Sequence, residues 1–191
     1  MLVRMLALFA ALSLPVSSAR ADVSLGDAAG RYTIGTGGSA IRFSIAKLGG
    51  GGLKGAFARF SGTIRIDGAD VGRSSVEITI FPDSVGTGQG RIDAFLRSDA
   101  VFDSANAPEI VFRSTGVKRT GDTTAIITGR LTARGKSSPE VFTARLDSLK
   151  RGAVAFHVTG KVLRSRYGMD VGTPLYSNVV DFNMTLMGKR G

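Results

Sequence analysis

The chain has 191 residues, 25 Lys and Arg against 15 Asp and Glu, one histidine, and neither cysteine nor tryptophan. Without a thiol there is no disulfide scaffold, no lipobox anchor and no cysteine nucleophile, and a lone histidine lacks the partners that triad or metal chemistry needs. The net charge of +10 is scattered along the chain, which speaks against nucleic acid and leaves two readings, solubility and attraction to anionic lipid headgroups or an acidic partner.

Met1–Ala21 reads as a secretory leader. Arg4 supplies the n-region charge, Met5–Val16 the apolar run, and Ala19 and Ala21 the small residues around Arg20. Cleavage is expected after Ala21. The run is too short to span a bilayer. Residues 22–191 then form one exported soluble domain, carrying +8 once Arg4 and Arg20 are lost.

Arg31–Ile34 is a first short strand and Gly35–Gly38 a turn. In Ser39–Leu48, Ile41, Phe43 and Ile45 face one way and Arg42 and Ser44 the other. Gly49–Gly52 is a flexible hairpin; no Lys-Ser/Thr pair follows it, so it is not a phosphate loop. Leu53–Asp67 reads as one long strand with Phe60, Ile64 and Ile66 on its apolar side. Gly62 falls on that side too and leaves room for a neighbour, a bend or a ligand. Arg73–Val85 alternates through Val76, Ile78 and Ile80, and Pro82 marks an edge or bulge.

Arg91–Phe112 is the one stretch that is neither strand nor turn. Ile92, Phe95 and Leu96 share one helical face, with Asp93 and Arg97 placed to suit the helix dipole. Val101 and Phe102 add a second apolar knob, and the Ile92–Phe102 helix is expected to close one opening of the fold. Pro108–Lys118, Thr123–Arg134, Pro139–Lys150, Ala153–Arg166 and Asn178–Gly188 follow as strands. Val154, Phe156, Val158 and Val162 share one face, as do Val180, Phe182, Met184 and Leu186. The expected fold is all-β, an antiparallel barrel of about eight strands with a short helix over one opening.

Polar chemistry is sparse. His157 is in phase with Thr159 and Lys161, hence solvent-facing, and no serine sits in a G-x-S-x-G elbow. Asp93, Asp99 and Asp103 surround the helix; capping accounts for them better than an acid–base pair. No local run is dense enough in ligands for zinc or calcium. The distinctive feature is the apolar interior. Phe43, Phe57, Phe60, Ile64, Ile78, Ile92, Phe95, Phe102, Phe112 and Phe156 are the candidate wall for a long hydrocarbon ligand. A barrel of this size sits where a filled core and a ligand cavity compete. A non-catalytic structural or stress-response module with a filled core is therefore the alternative, and a carboxylate hydrolase a third.

A family pattern runs through these elements. Its pieces are Tyr32-Thr33-Ile34, Ile41-x-Phe43-x-Ile45, Lys47-Leu48-Gly49 and Gly55-x-Phe57-x-x-Phe60-x-Gly62-Thr63-Ile64. They continue with Arg91-x-Asp93-x-x-Leu96-Arg97-Ser98, Pro108-Glu109-Ile110-x-Phe112-x-Ser114, Gly129-x-Leu131-Thr132-x-Arg134-Gly135 and Arg164-Ser165-x-Tyr167-Gly168-Met169. The chain resembles the YceI-like family of periplasmic, lipocalin-like polyisoprenoid binders. The resemblance implies a tunnel for a polyprenyl quinone or prenyl phosphate and a periplasmic location; with the sparse polar chemistry, no catalysis and no cofactor beyond such a lipid are expected. It admits a membrane surface or a cytochrome b-type membrane protein as partner, and a monomer or homodimer. Two family histidines are replaced, by the Gly35–Ser39 turn and by Lys47; Lys47 either meets a phosphate or is solvated.

Overall fold

The computed structural model describes residues 23–191; the expected leader lies outside the described residues. The strands are β1 (Gly30–Ile34), β2 (Ala40–Ala46), β3 (Gly52–Phe57), β4 (Phe60–Ile66), β5 (Ser75–Ile80) and β6 (Val85–Gly86). Helix α1 (Gly90–Arg97) follows. Then come β7 (Ile110–Arg119), β8 (Thr124–Ala133), β9 (Lys136–Lys150), β10 (Ala153–Leu163) and β11 (Val179–Arg190).

Strand order β1-β4-β5-β7-β8-β9-β10-β11, with β11 pairing back to β1, closes an eight-stranded antiparallel barrel. Closure removes the unpaired edges that an open sheet would expose. β11 is long enough to serve two partners. Its later half pairs with β1, placing Gly188 opposite Ile34, and its earlier half pairs with β2, placing Phe182 opposite Phe43. β2, β3 and β6 form a leaf that continues the wall beyond the ring.

Three expected boundaries shift, each for a local reason. Leu53–Asp67 is two strands, because the backbone at Ala58–Arg59 turns aside to pair with a 3-10 turn at Pro82–Ser84. Ala58 N–H donates to Ser84 O (3.1 Å) and Arg59 N–H to Ser84 Oγ (2.9 Å). The helix covers Gly90–Arg97, not Ile92–Phe102. Ser98 is extended (ψ 170°) and its hydroxyl donates to Phe95 O at 2.8 Å, so Val101 and Phe102 lie in the turns that follow. β10 stops at Leu163, where a 3-10 turn (Arg164–Tyr167) begins; it ends at Gly168, whose φ of 70° suits a residue without Cβ.

Antiparallel order sorts the connections to two ends. The mouth gathers the β2–β3 hairpin, α1 and the turns after it, the β8–β9 turn and the long β10–β11 loop. The base gathers the 67–74, 120–123 and 151–152 turns and the N-terminal turn, where Leu25 N–H donates to Asp122 O at 2.8 Å.

Candidate functional site

Inside the barrel is a cavity of about 310 Å³, within the range of about 300–1,000 Å³ usual for small-molecule sites. Its walls run from Leu25 and Val71 at the base to Phe95, Val171 and Tyr176 at the mouth. Among the described residues, Ser74, Arg164, Tyr167 and Tyr176 are its only polar lining side chains. Such a surface offers dispersion and desolvation, with little to hydrogen-bond.

Phe43, Phe57, Ile64, Ile78, Ile92, Phe95, Phe102, Phe112 and Phe156 line this cavity. Phe95 is 48% exposed and stands at the mouth. Phe60 is the exception. It is buried, but it opens β4 at the Ala58–Arg59 break, opposite Ile80, and lies outside the lining. In an unbroken strand Phe57 and Phe60 would face opposite sides; the break turns both inward and leaves only Phe57 on the bore.

The rings leave space because glycines in the wall receive them. A Cβ on Gly55 would stand 2.6 Å from the ring of Phe43, its cross-strand partner. A Cβ on Gly160 would stand 2.3 Å from the ring of its partner Phe142, and one on Gly129 would stand 2.3 Å from Phe112. Gly62 likewise accommodates Ile78. Each side chain lies back against the sheet over a missing Cβ instead of pointing at the axis. Phe142 meets Phe112 and Phe182 edge-on at 5.1 and 6.4 Å, completing an aromatic belt. Phe142 and Phe182 also line the cavity and are absent from the candidate wall, although Phe182 shares the apolar face of Val180 and Met184.

A buried polar cluster stands at the mouth end. Glu140 occupies an inward position of β9, one alternation before Phe142, and is 5% exposed. Its Oε1 accepts from Tyr167 Oη–H (2.8 Å) and from Arg166 Nη1–H (3.4 Å). Burial, then the adjacent Glu140 carboxylate, holds the Tyr167 phenol far above its ordinary value, so it stays a donor. Arg164, 7% exposed, is also inward. Its guanidinium donates to the carbonyls of Ser177 (2.9 Å), Val171 (2.8 Å), Tyr176 (3.2 Å) and Met169, and so clasps the β10–β11 loop. Desolvation lowers its pKa.

The helix aspartates do not converge. Asp93 Oδ1 accepts from Thr87 N–H (2.7 Å) and Oγ1–H (2.6 Å), pinning the preceding loop to α1; these bonds to Thr87 lower its pKa. Asp103 accepts from Asn106 at 2.9 Å. Asp99 contributes its backbone carbonyl to Arg134 Nη2 (2.8 Å), whose Nη1 holds Gly168 O (2.7 Å), tying the end of the helix segment to the β10–β11 loop. His157 is half-buried on the outer face, between Arg145 and Thr185. Lys47 is exposed and bridges Tyr176 through backbone pairing.

Comparisons with known proteins fall on this architecture. A family model described as "YceI-like domain" matches residues 32–187. The chain is 36% identical over 105 residues to a UPF0312 protein of Azotobacter vinelandii, a match spanning 55% of this chain and 55% of that protein. It is 31% identical over 153 residues to Protein YceI of Escherichia coli O17:K52:H18, covering 78% of this chain and 80% of the relative. Among solved structures, a polyisoprenoid binding domain from Saccharophagus degradans implicated in plant cell wall breakdown superposes with a TM-score of 0.68 at 15% identity, covering 84% of this chain and 98% of that one. The family match runs from β1 to β11 and takes in the barrel, the helix and the aromatic belt alike, so the chain belongs to the YceI-like domain family.

Proposed function

We propose that this protein is a non-catalytic periplasmic carrier that holds a long-chain isoprenoid lipid, a polyprenyl quinone or prenyl phosphate, in the barrel's bore. The observation that carries the reading is the bore itself: a cavity of about 310 Å³ walled almost wholly by apolar side chains. Each methylene moved from water into such a wall gains about 0.8 kcal/mol. A branched polyene matches a wall of rings and β-branched chains in shape, and its lack of hydrogen-bonding groups matches their lack of partners. A filled core in a structural module would not keep glycine notches at Gly55, Gly129 and Gly160 to hold rings off the axis. The polyisoprenoid-binding description of the Saccharophagus domain supports the ligand class.

The test is uptake. Delipidated protein mixed with a polyprenol or a polyprenyl quinone in detergent micelles should give a one-to-one complex by native mass spectrometry. A saturated fatty acid of similar length should bind less, because it lacks the methyl branches. Protein that remains free of both isoprenoids under these conditions would overturn the reading.

A further inference from the structure

Four of the seven exposed large hydrophobic side chains among the described residues stand at the mouth of the bore. Leu48 is 74% exposed, Leu175 48%, Phe95 48% and Val171 42%. They come from three separate segments, the β2–β3 hairpin, α1 and the β10–β11 loop, which the fold gathers at one end. Leu48 N–H donates to Leu175 O at 2.8 Å, so two of them sit side by side. Phe95 and Val171 face both solvent and cavity, which makes the patch continuous with the bore.

The hairpin has a particular construction. Leu48 is followed by Gly49, Gly50, Gly51 and Gly52, all at positive φ. The tip therefore presents a large apolar side chain and no polar one. Lys47 and Lys54 stand on either side, both exposed and neither in an ion pair among the described residues. Arg91, the second residue of α1, is likewise exposed and in no ion pair among the described residues. Of the acids at this end, Asp93 is turned to Thr87 and Asp103 to Asn106, while Asp99, on the turn after α1, and Asp170 are exposed. Apolar tips with lysines set behind them match the layering of a bilayer interface, acyl chains below and anionic phosphates above.

We infer that the mouth rim is a docking face for an anionic lipid bilayer, with Leu48 and Leu175 as its insertion points and Lys47, Lys54 and Arg91 as its headgroup contacts. The inference rests on the carrier reading for its purpose. A ligand with negligible solubility in water has to pass between membrane and bore without crossing solvent, and a mouth seated in the interface gives it that path.

The experiment compares the exported protein with the double variant Leu48→Ser/Leu175→Ser. Neither residue lines the bore, and both are exposed, so the fold is expected to persist; a matching thermal transition checks this. Co-sedimentation is measured on vesicles of phosphatidylcholine alone and with about one-third phosphatidylglycerol. The wild type should bind the anionic vesicles, and the variant about tenfold less, two apolar anchors having been removed. Binding should weaken in 1 M salt, where the screening length falls to about 3 Å. Both proteins should take up a polyprenol equally from detergent micelles. Equal vesicle binding by the two, or none by either, would overturn the docking face. So would a wild-type dimer, seen by analytical ultracentrifugation, that the two substitutions split while vesicles remain unbound. Micelle uptake reports the carrier reading separately, so failure of one is distinguishable from failure of the other.

Discussion

Tyr167 shows what single side chains contribute here. It is 1% exposed, lines the cavity, and its hydroxyl is spent on Glu140, itself buried. Removing that hydroxyl leaves a buried carboxylate with only the longer bond from Arg166. Tyr167→Phe should therefore cost about 1–3 kcal/mol, read as a lower urea midpoint at unchanged slope. The pH dependence follows from the direction of the shift. The folded phenol titrates above its ordinary value of 10.0, so its contribution is complete below that value and is lost as pH rises past it. Wild-type stability should fall above pH 10 more steeply than that of Tyr167→Phe; parallel curves would remove the Glu140 bond from the explanation. Part of this cluster was legible in the sequence. Glu140 falls on the inward phase of its strand, and an acid at such a position calls for a partner. Arg164 and Tyr167 stood out only as members of a family motif. Arg164 continues the inward phase of Val158 and Val162 inside the expected strand, whereas Tyr167 lies one residue past its end, where strand phase no longer says which way a side chain points.

At the scale of elements, alternation identified the strands well because each buries one face and wets the other. It failed where the chain changes partners. The Ala58–Arg59 break is set by a turn more than twenty residues away, at Pro82–Ser84, and no local pattern announces it. The helix was overextended because Val101 and Phe102 are apolar for a reason other than helix phase: they plug the mouth from a turn, with Phe102 5.6 Å from Phe57. Strand glycines carry the more useful lesson. Gly62 marks a gap by its phase alone, but the notches at Gly55, Gly129 and Gly160 depend on cross-strand register, which a linear sequence does not display. The pair Gly160 and Phe142 gives a direct test. Alanine at 160 puts a methyl where the ring lies, so Phe142 must swing toward the axis. Gly160→Ala should keep a cooperative unfolding transition yet lose about tenfold or more in polyprenol affinity, since overpacking of this kind typically costs 1–3 kcal/mol. Undiminished affinity would mean that the notch does not keep the bore open.

For the whole molecule, closure and emptiness belong together. Eight strands in a ring give an interior just large enough that side chains can fill it or surround one slender ligand, and here the choice is made by seating rings over glycines and omitting tryptophan. The N-terminal turn at Leu25 stands at the base, while the mouth carries exposed apolar side chains beside Lys47, Lys54 and Arg91, none of them in an ion pair among the described residues. This asymmetry along the axis is what the proposed membrane-facing mouth rests on. The most direct measurement is extraction of the protein recovered from a bacterial periplasm into organic solvent, followed by mass identification of what is released. A single isoprenoid class near one per chain is the expected result. Empty protein, or a mixture of ordinary phospholipid acyl chains in its place, would contradict the account.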